Sequence, residues 1–453
     1  MSTPPRYAQP QPAPGFSPRW VVPYAPGTGP AWAQAVAYVA LALVLVWSVV
    51  LVFQGSLDLM VYNMGAQWVA DPQLRQQPLY DLEFPVPWSD DTLPFTYPPF
   101  AALLFGLLAW IPFDLMRYLL LLADLIVAVP LAGALVSYAG RKRRPIPLTN
   151  YLGSRAMFAL VLAVILFSGP YIRTISLGQI NILLLGLVFL DLVRRTDGTG
   201  AWIERATAFI PRGVFIGLAA GIKLTPLAFG LIFLMQRQIR TIVAMGVTFG
   251  ITVAVGFMVL YQDSIQFWTD SVSSSDRVGS IKYIDNTALT GLLIKNGVPG
   301  DLVDPIRYLL TLIMIALVAV AMIYLTRRGM ILSAISMNGL VMLFMSPISW
   351  SHHQMYYPVI ALALWLEAFP HIFHGLTRAV AGALTWVWLV GAYIGPMRGL
   401  FLTDLMGFHL HTSETVWAFP YVVLFILLLL WAGAVIVDGR RSSEHIVTPA
   451  TTG

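Results

Sequence analysis

A few polar residues interrupt an otherwise apolar chain, and their types and positions limit the chemistry they could do. Asp58 follows the first apolar run, residues 32–53, after the short break Gln54-Gly55-Ser56. A carboxylate at the mouth of a helix bundle is costly to desolvate. It reads as a general base, a cation-pathway carboxylate or a helix-capping Asp held by water. Lys223 sits near the centre of the apolar run 213–235, in Gly221-Ile222-Lys223-Leu224-Thr225-Pro226. A lysine there costs about 2.5 to 3.5 kcal/mol on insertion scales and needs a partner. The choices are an ion pair with Asp124 or Asp191, or a bound anion such as phosphate. His352 and His353 close the segment Ser346-Pro347-Ile348-Ser349-Trp350-Ser351-His352-His353. Adjacent imidazoles point in different directions, which argues against a shared metal. One of them could instead donate to a phosphate or a hydroxyl, or the pair could be interfacial beside Trp350.

Four weaker signals accompany these. Gly178-Gln179-Ile180-Asn181 opens an apolar run and could direct one amide inward. Arg277 and Lys282 offer cations in the stretch from Asp276 to Asn286, which a solvated loop would also explain. Arginine would bind phosphate bidentately. Arg173, near a turn, is a further cation. The run Leu93-Pro94-Phe95-Thr96-Tyr97-Pro98-Pro99 follows Tyr62 and Tyr80 and forms a stiff aromatic wall.

The elements that must hold these residues are membrane helices. Of the 453 residues, 58% are hydrophobic and 11% charged, with mean hydropathy +0.74. An ordinary soluble domain carries about 25% charged residues. The apolar runs have the spanning length of about 17 to 25 residues, and backbone groups in lipid must be satisfied internally. The fold class is therefore an all-α polytopic membrane protein. No cysteine is present, so disulfides, thiolate metal sites and a cysteine nucleophile are excluded. No cluster of carboxylates has metal-ligand spacing, so no obligatory metal is expected. There is no phosphate-binding glycine loop, hence no nucleotide cofactor, and nothing points to a nucleic-acid partner.

Basic clusters set the expected sidedness, because Lys and Arg concentrate in cytoplasmic loops. They are Arg141-Lys142-Arg143-Arg144, Arg194-Arg195, Arg237 with Arg240, Arg327-Arg328 and Arg440-Arg441. If all are cytoplasmic, loops 54–97 and 262–305 face outward, as do the shorter turns 346–353 and 398–415. Parity then requires 98–112 to dip into or lie on the outer leaflet, and 213–235 to be a broken hairpin turning at Pro226. About a dozen crossings result, with both termini cytoplasmic. Residues 1–31 are expected to be a disordered tail, 32–437 the membrane domain and 438–453 a second cytoplasmic tail.

In this order, Asp58 with Val61-Tyr62, the 93–99 run, the 178–181 run, the 221–226 run, Asp276-Arg277-Val278-Gly279 and the 346–353 segment resemble one family. It is the polyprenol-phosphate-mannose-dependent α-(1→2)-mannosyltransferases of the GT-C superfamily, and the likeness runs from about residue 35 to 435. It implies a GT-C bundle at the plasma membrane with an active site on the extracytoplasmic side. The implied donor is a β-linked mannosyl phosphate on a polyprenol. The implied acceptor is a mannosyl 2-hydroxyl of a lipid such as phosphatidylinositol tetramannoside, with lipomannan or lipoarabinomannan branching as the alternative. Asp58 takes the base role. Lys223, His352, His353, Arg277 and Arg173 are the expected donor-phosphate contacts. Tyr62, Tyr97, Gln179, Asn181, Lys282, Asn286 and Trp350 are the expected substrate contacts. Where the family usually has an Asn-Gln or Asp-Gln pair, this chain reads Asp285-Asn286-Thr287, which bears on the acceptor. A lipid or glycolipid transporter is the rival from another class, but no convincing inverted repeat is found.

Overall fold

A computed structural model of the chain describes residues 25–85, 92–141, 146–193, 202–274, 277, 279–399 and 413–447. Residues 1–24, Lys142 to Arg144, Arg194-Arg195, Asp276, Val278 and most of the turn 398–415 lie outside the described residues. Among those described, six helices are long and apolar enough to cross a bilayer: Ala31–Gln54 (α1), Phe113–Arg141 (α4), Ile239–Val259 (α10), Gly300–Arg327 (α12), Gly375–Ile394 (α15) and Ser413–Val447 (α16). A seventh candidate is the pair Ser154–Phe167 (α5) and Gly169–Leu177 (α6), bent by 63° at Ser168. Shorter helices complete the bundle, including Asn181–Val193 (α7), Val214–Ile222 (α8), Leu289–Lys295 (α11) and Ile331–Met345 (α13). In α1 and α10 only 17% of the most apolar window is buried inside the protein. The rest of that apolar surface needs lipid against it. The chain is a multi-pass membrane protein; among the described residues six helices, or seven with the bent pair, have spanning length, against the dozen crossings expected.

Outside the spans, Leu57–Ala70 (α2) packs on Pro99–Gly106 (α3). Pro99 opens α3, as proline does at a first helical turn. Eight residues rise about 12 Å, too short to cross. Between α2 and α3 the chain forms an antiparallel pair, Glu83–Pro85 (β1) with Thr92–Pro94 (β2), in the register Glu83 to Pro94. Phe95, Tyr80 and Leu79 beside it are buried, so this wall faces the interior.

The run 213–235 doubles back. Gly213 lies against Thr241 and Met245, Gly217 against Met245, Thr248 and Phe249, and Gly221 against Thr252. Helix α8 thus ascends alongside α10. It stops at Lys223, whose backbone is extended. A short 3-10 turn, Thr225–Phe229, leads into Gly230–Met235 (α9), which returns to the Met245 side chain. The chain turns at Lys223–Phe229, and both ends of the segment lie near the start of α10.

One close approach fixes the relation of α1, α2, α6 and α7. Ser56 donates its N–H to Ser176 O at 2.6 Å. A Cβ on Gly55 would lie 2.0 Å from that same carbonyl oxygen. Gly178 has φ +67°, and a Cβ there would lie 2.7 Å from Leu59 Cβ. Ser56 itself is held at φ 79°, a left-handed conformation that costs a non-glycine residue about 1–2 kcal/mol.

Two expected boundaries shift. Residues 25–30 are not a free tail, because Thr28 N–H and Gly29 N–H bond Asn150 O and Tyr151 O, and Ser154 N–H bonds Ala25 O. At the other end α16 continues to Val447, past the expected break at 437, since Asp438 is tied to Arg328. Gly55→Ala and Gly178→Ala should lower the thermal unfolding midpoint of the purified protein, Gly178→Ala by at least the left-handed backbone cost of about 1–2 kcal/mol. Gly246→Ala, with nothing within 4 Å of its Cβ, should leave the midpoint unchanged or raise it; equal midpoints in all three would contradict the docking of the two turns.

Candidate active site

The helix junctions that carry the polar motifs meet at one end of the bundle. Asp58 lies in the first turn of α2, one turn past the Gly55-Ser56 break. The break packs on Ser176 and Gly178, so Gln179 arrives beside Asp58 and hydrogen-bonds its carboxylate. Gln179 Oε1 accepts the Tyr62 hydroxyl at 2.8 Å and the Tyr97 hydroxyl at 3.2 Å. Those two hydroxyls lie 2.6 Å apart. With Oε1 committed to tyrosines, the amide nitrogen is the end left to donate to Asp58. Burial raises the Asp58 pKa above its ordinary value, while the Gln179 hydrogen bond and the charges of Lys223 and Arg173 pull it down.

Lys223 reaches the site from the broken hairpin. Its ammonium donates to Asn181 Oδ1 at 3.1 Å and lies 3.1 Å from His353 Nε2. It also stands 5.6 Å from the centre of the Tyr97 ring, within cation–π range. Neither expected carboxylate partner is used. Asp191 accepts Ile216 N–H instead, and Lys223 is not among the charges acting on Asp124. Asn181 is oriented because its Nδ2 donates to His352 O at 3.2 Å.

The histidine pair belongs to a short turn between α13 and Tyr357–Ala363 (α14). Trp350 N–H donates to His353 Nδ1 at 3.2 Å. Burial first, then the Lys223 charge, hold His353 well below its ordinary pKa. A neutral ring that accepts at Nδ1 carries its proton on Nε2. Lys223 and His353 Nε2 are then both donors, 3.1 Å apart, with no acceptor between them. Such a pair is completed by an anion. The two imidazole rings cross at 83°, with centroids 4.6 Å apart.

Below Tyr62 and Ile222 an apolar groove of about 1100 Å³ opens. It runs between α4 and α7 from Ile180 to Val193, about 20 Å of helix. Its flank includes Leu122 and Ile126, both exposed.

Asp58, Tyr62, Tyr97, Gln179, Asn181, Lys223, His352 and His353 are thus brought together. Other expected contacts have different occupations. Arg277 bonds Tyr80 O and is not among the charges acting on Asp58; it braces the aromatic wall. Lys282 is exposed on its loop. Asn286 is fully buried, and its Oδ1 accepts Ala288 N–H and Ser349 N–H while its Nδ2 donates to Ile281 O. It therefore splices the 262–305 loop onto the 346–353 segment. Trp350 packs edge-on against Tyr283, 5.8 Å between centroids. Arg173 Nε lies 3.7 Å from Asp285 Oδ2. Asp285 is the site residue that reading the sequence missed; the unusual Asp285-Asn286 pair was its only signal.

Residues 95–347 match the family described as Glycosyltransferase family 87. Over 410 residues the chain is 28% identical to a polyprenol-phosphate-mannose-dependent alpha-(1-2)-phosphatidylinositol mannoside mannosyltransferase of Mycobacterium tuberculosis, covering 87% of this chain and 89% of the relative. It is 29% identical over 322 residues to a protein of the same description from Mycolicibacterium smegmatis, covering 66% and 67%. It is 30% identical over 352 residues to a polyprenol-phosphate-mannose-dependent alpha-(1-2)-phosphatidylinositol pentamannoside mannosyltransferase of the same organism, covering 75% of each chain. No solved structure matches.

Proposed function

The chain belongs to glycosyltransferase family 87, and from that premise we propose that it moves mannose from a polyprenyl phosphate to a 2-hydroxyl of a mannosylated phosphatidylinositol, with inversion, on the extracytoplasmic face of the plasma membrane. The donor and linkage are those in the names of its relatives. Those names give both a phosphatidylinositol mannoside and a pentamannoside at nearly equal identity, so the likeness supports the acceptor class rather than a mannose count. Membership of a glycosyltransferase family argues against the transporter reading. The observation that carries the mechanism is a half-buried carboxylate, Asp58, within the field of a Lys223–His353 pair that has no acceptor between its two members.

In this mechanism the acceptor oxygen attacks mannose C1 from the face opposite phosphate. The new C1–O bond forms as the C1–phosphate oxygen bond breaks. The hydroxyl proton passes to the Asp58 carboxylate, and polyprenyl phosphate leaves with the electron pair and one more negative charge. Lys223 and His353 Nε2–H are placed to meet that growing charge, where fixed donors lower a barrier most. The groove under Tyr62 and Ile222 suits the polyprenyl tail, since it starts at the site and is lined almost wholly by carbon. Alignment of two lipid-linked substrates supplies a further large share of the rate.

Asp58→Asn keeps the shape and removes the base, so kcat should fall about 10²-fold or more while the protein stays folded; unaltered turnover would end the assignment. Only the ionised carboxylate accepts a proton, so turnover should decline as pH falls through the raised Asp58 pKa. The Lys223 charge holds that pKa down. Lys223→Met should therefore move the acid limb of the pH–rate profile to higher pH and weaken donor turnover. Loss of thermal stability with the acid limb unmoved would mark Lys223 as structural instead. For sidedness, the cysteine-free chain allows Asp90→Cys, which should react with an impermeant maleimide in intact cells; labelling only after permeabilisation would reverse the topology.

A further inference from the structure

The two adjacent histidines present opposite hydrogen-bonding faces. His353 takes an N–H at Nδ1 and offers a donor at Nε2. His352 has a carboxylate near its Nδ1 instead: Asp285 Oδ2, at 3.9 Å. The same oxygen lies 3.7 Å from Arg173 Nε. His352 is 4% exposed and Asp285 1%. Among the described residues, neither ring nitrogen of His352 has a hydrogen-bond partner, nor does Arg173 Nε. Buried polar atoms are nearly always satisfied. Three unpartnered nitrogens and one unpartnered carboxylate oxygen, Asp285 Oδ1, therefore mark a place that a polar ligand completes.

The sign of that ligand follows from the proton. Burial first, then the charges of His353, Lys223 and Arg173, hold His352 well below its ordinary pKa. A neutral ring has one proton, and a carboxylate on the Nδ1 side draws it there. Nε2 is left as a bare acceptor. An acceptor attracts a sugar hydroxyl and repels a phosphate oxygen. Arg173 adds donors, and its charge is offset by Asp285, so the cluster suits a neutral polyol.

None of His352, Arg173 and Asp285 lines the groove. Lys223 and Arg173 are the two cations that act on Asp58. Lys223 follows Ile222, which lines the groove. Arg173 and Asp285 both act on Tyr283, which is 41% exposed and packs on Trp350. That aromatic edge opens outward, where a glycan would approach.

We infer that Asp285 is a positioning residue that keeps His352 in the Nδ1-protonated tautomer, so that His352 Nε2 accepts a hydrogen bond from a hydroxyl of the acceptor's terminal sugar beside Arg173. The inference rests on the transferase reading above and sharpens it: His352 and Arg173 leave the donor-phosphate set, and Lys223 and His353 remain in it.

The test uses the full-length protein in lipid nanodiscs with polyprenyl phosphate mannose and a mannosylated phosphatidylinositol. Asp285→Asn should raise the KM for acceptor about tenfold, the worth of one hydrogen bond, with the donor KM within about twofold of wild type. His352→Gln, which keeps an acceptor oxygen, should retain more acceptor affinity than His352→Leu. Binding of polyprenyl phosphate alone, read as a thermal shift, should survive in Asp285→Asn and His352→Leu and be lost in Lys223→Met. Equal rises in both KM values, or loss of polyprenyl phosphate binding in Asp285→Asn, would overturn the inference. So would variants that merely unfold more easily with both KM values intact. A wild type that transfers no mannose would bring down the transferase reading itself, and this inference with it.

Discussion

Ser56 gives its backbone N–H to Ser176 at 2.6 Å, and the rest of the site depends on how near that bond brings two turns of chain. No side chain fits between them; Gly55 and Gly178 are the residues that allow it. The approach puts the first turn of α2 over the start of α7. Asp58 and Gln179 are thereby neighbours although they are far apart in sequence. Gln179 is aimed by two tyrosine hydroxyls, one from α2 and one from the wall that precedes α3. A helix start, a glycine turn and a proline-bounded aromatic wall thus converge on one carboxyl group.

The charges around that group are separated by role. Lys223 and Arg173 both act on Asp58. Lys223 comes from a hairpin whose tip lies beside carbon-lined space, and its neighbours leave it facing a second donor. Arg173 comes from α6 and already has a carboxylate near it. Two cations of equal formal charge therefore offer different things: one a positive charge without a carboxylate at ion-pair distance, the other a nearly neutral cluster of donors and acceptors. Burial makes the distinction matter, because unpaired charge in low dielectric is expensive and paired charge is much less so.

The sequence revealed the residues whose chemistry conflicts with their surroundings. Lys223 inside an apolar run and Asp58 after a span are conspicuous because lipid has no use for either. The glycines and prolines around them marked the turn of the 213–235 hairpin. Arg277, Lys282 and Asn286 were harder to place. A polar loop contains many polar residues, and nothing in their order tells which face inward. Asp285 stood out only as a departure from the family's usual pair, and nothing in a loop sequence tells that His352 is brought to 3.9 Å from it. Boundaries at both ends were misjudged because they depend on partners distant in sequence. Residues 25–30 are held by Asn150, Tyr151 and Ser154, and α16 continues past 437 with Arg328 gripping Asp438.

The groove between α4 and α7 has an open flank, where Leu122 and Ile126 present their side chains outward. A prenyl chain that enters by that route never passes through water. Its encounter with the site is two-dimensional diffusion, and the quantity that drives loading is its mole fraction among the surrounding lipids rather than its molarity in the medium. Adding inert lipid or detergent then dilutes the donor even at fixed total amount, so saturation curves for this protein acquire meaning only when the surface on which the donor is spread is specified.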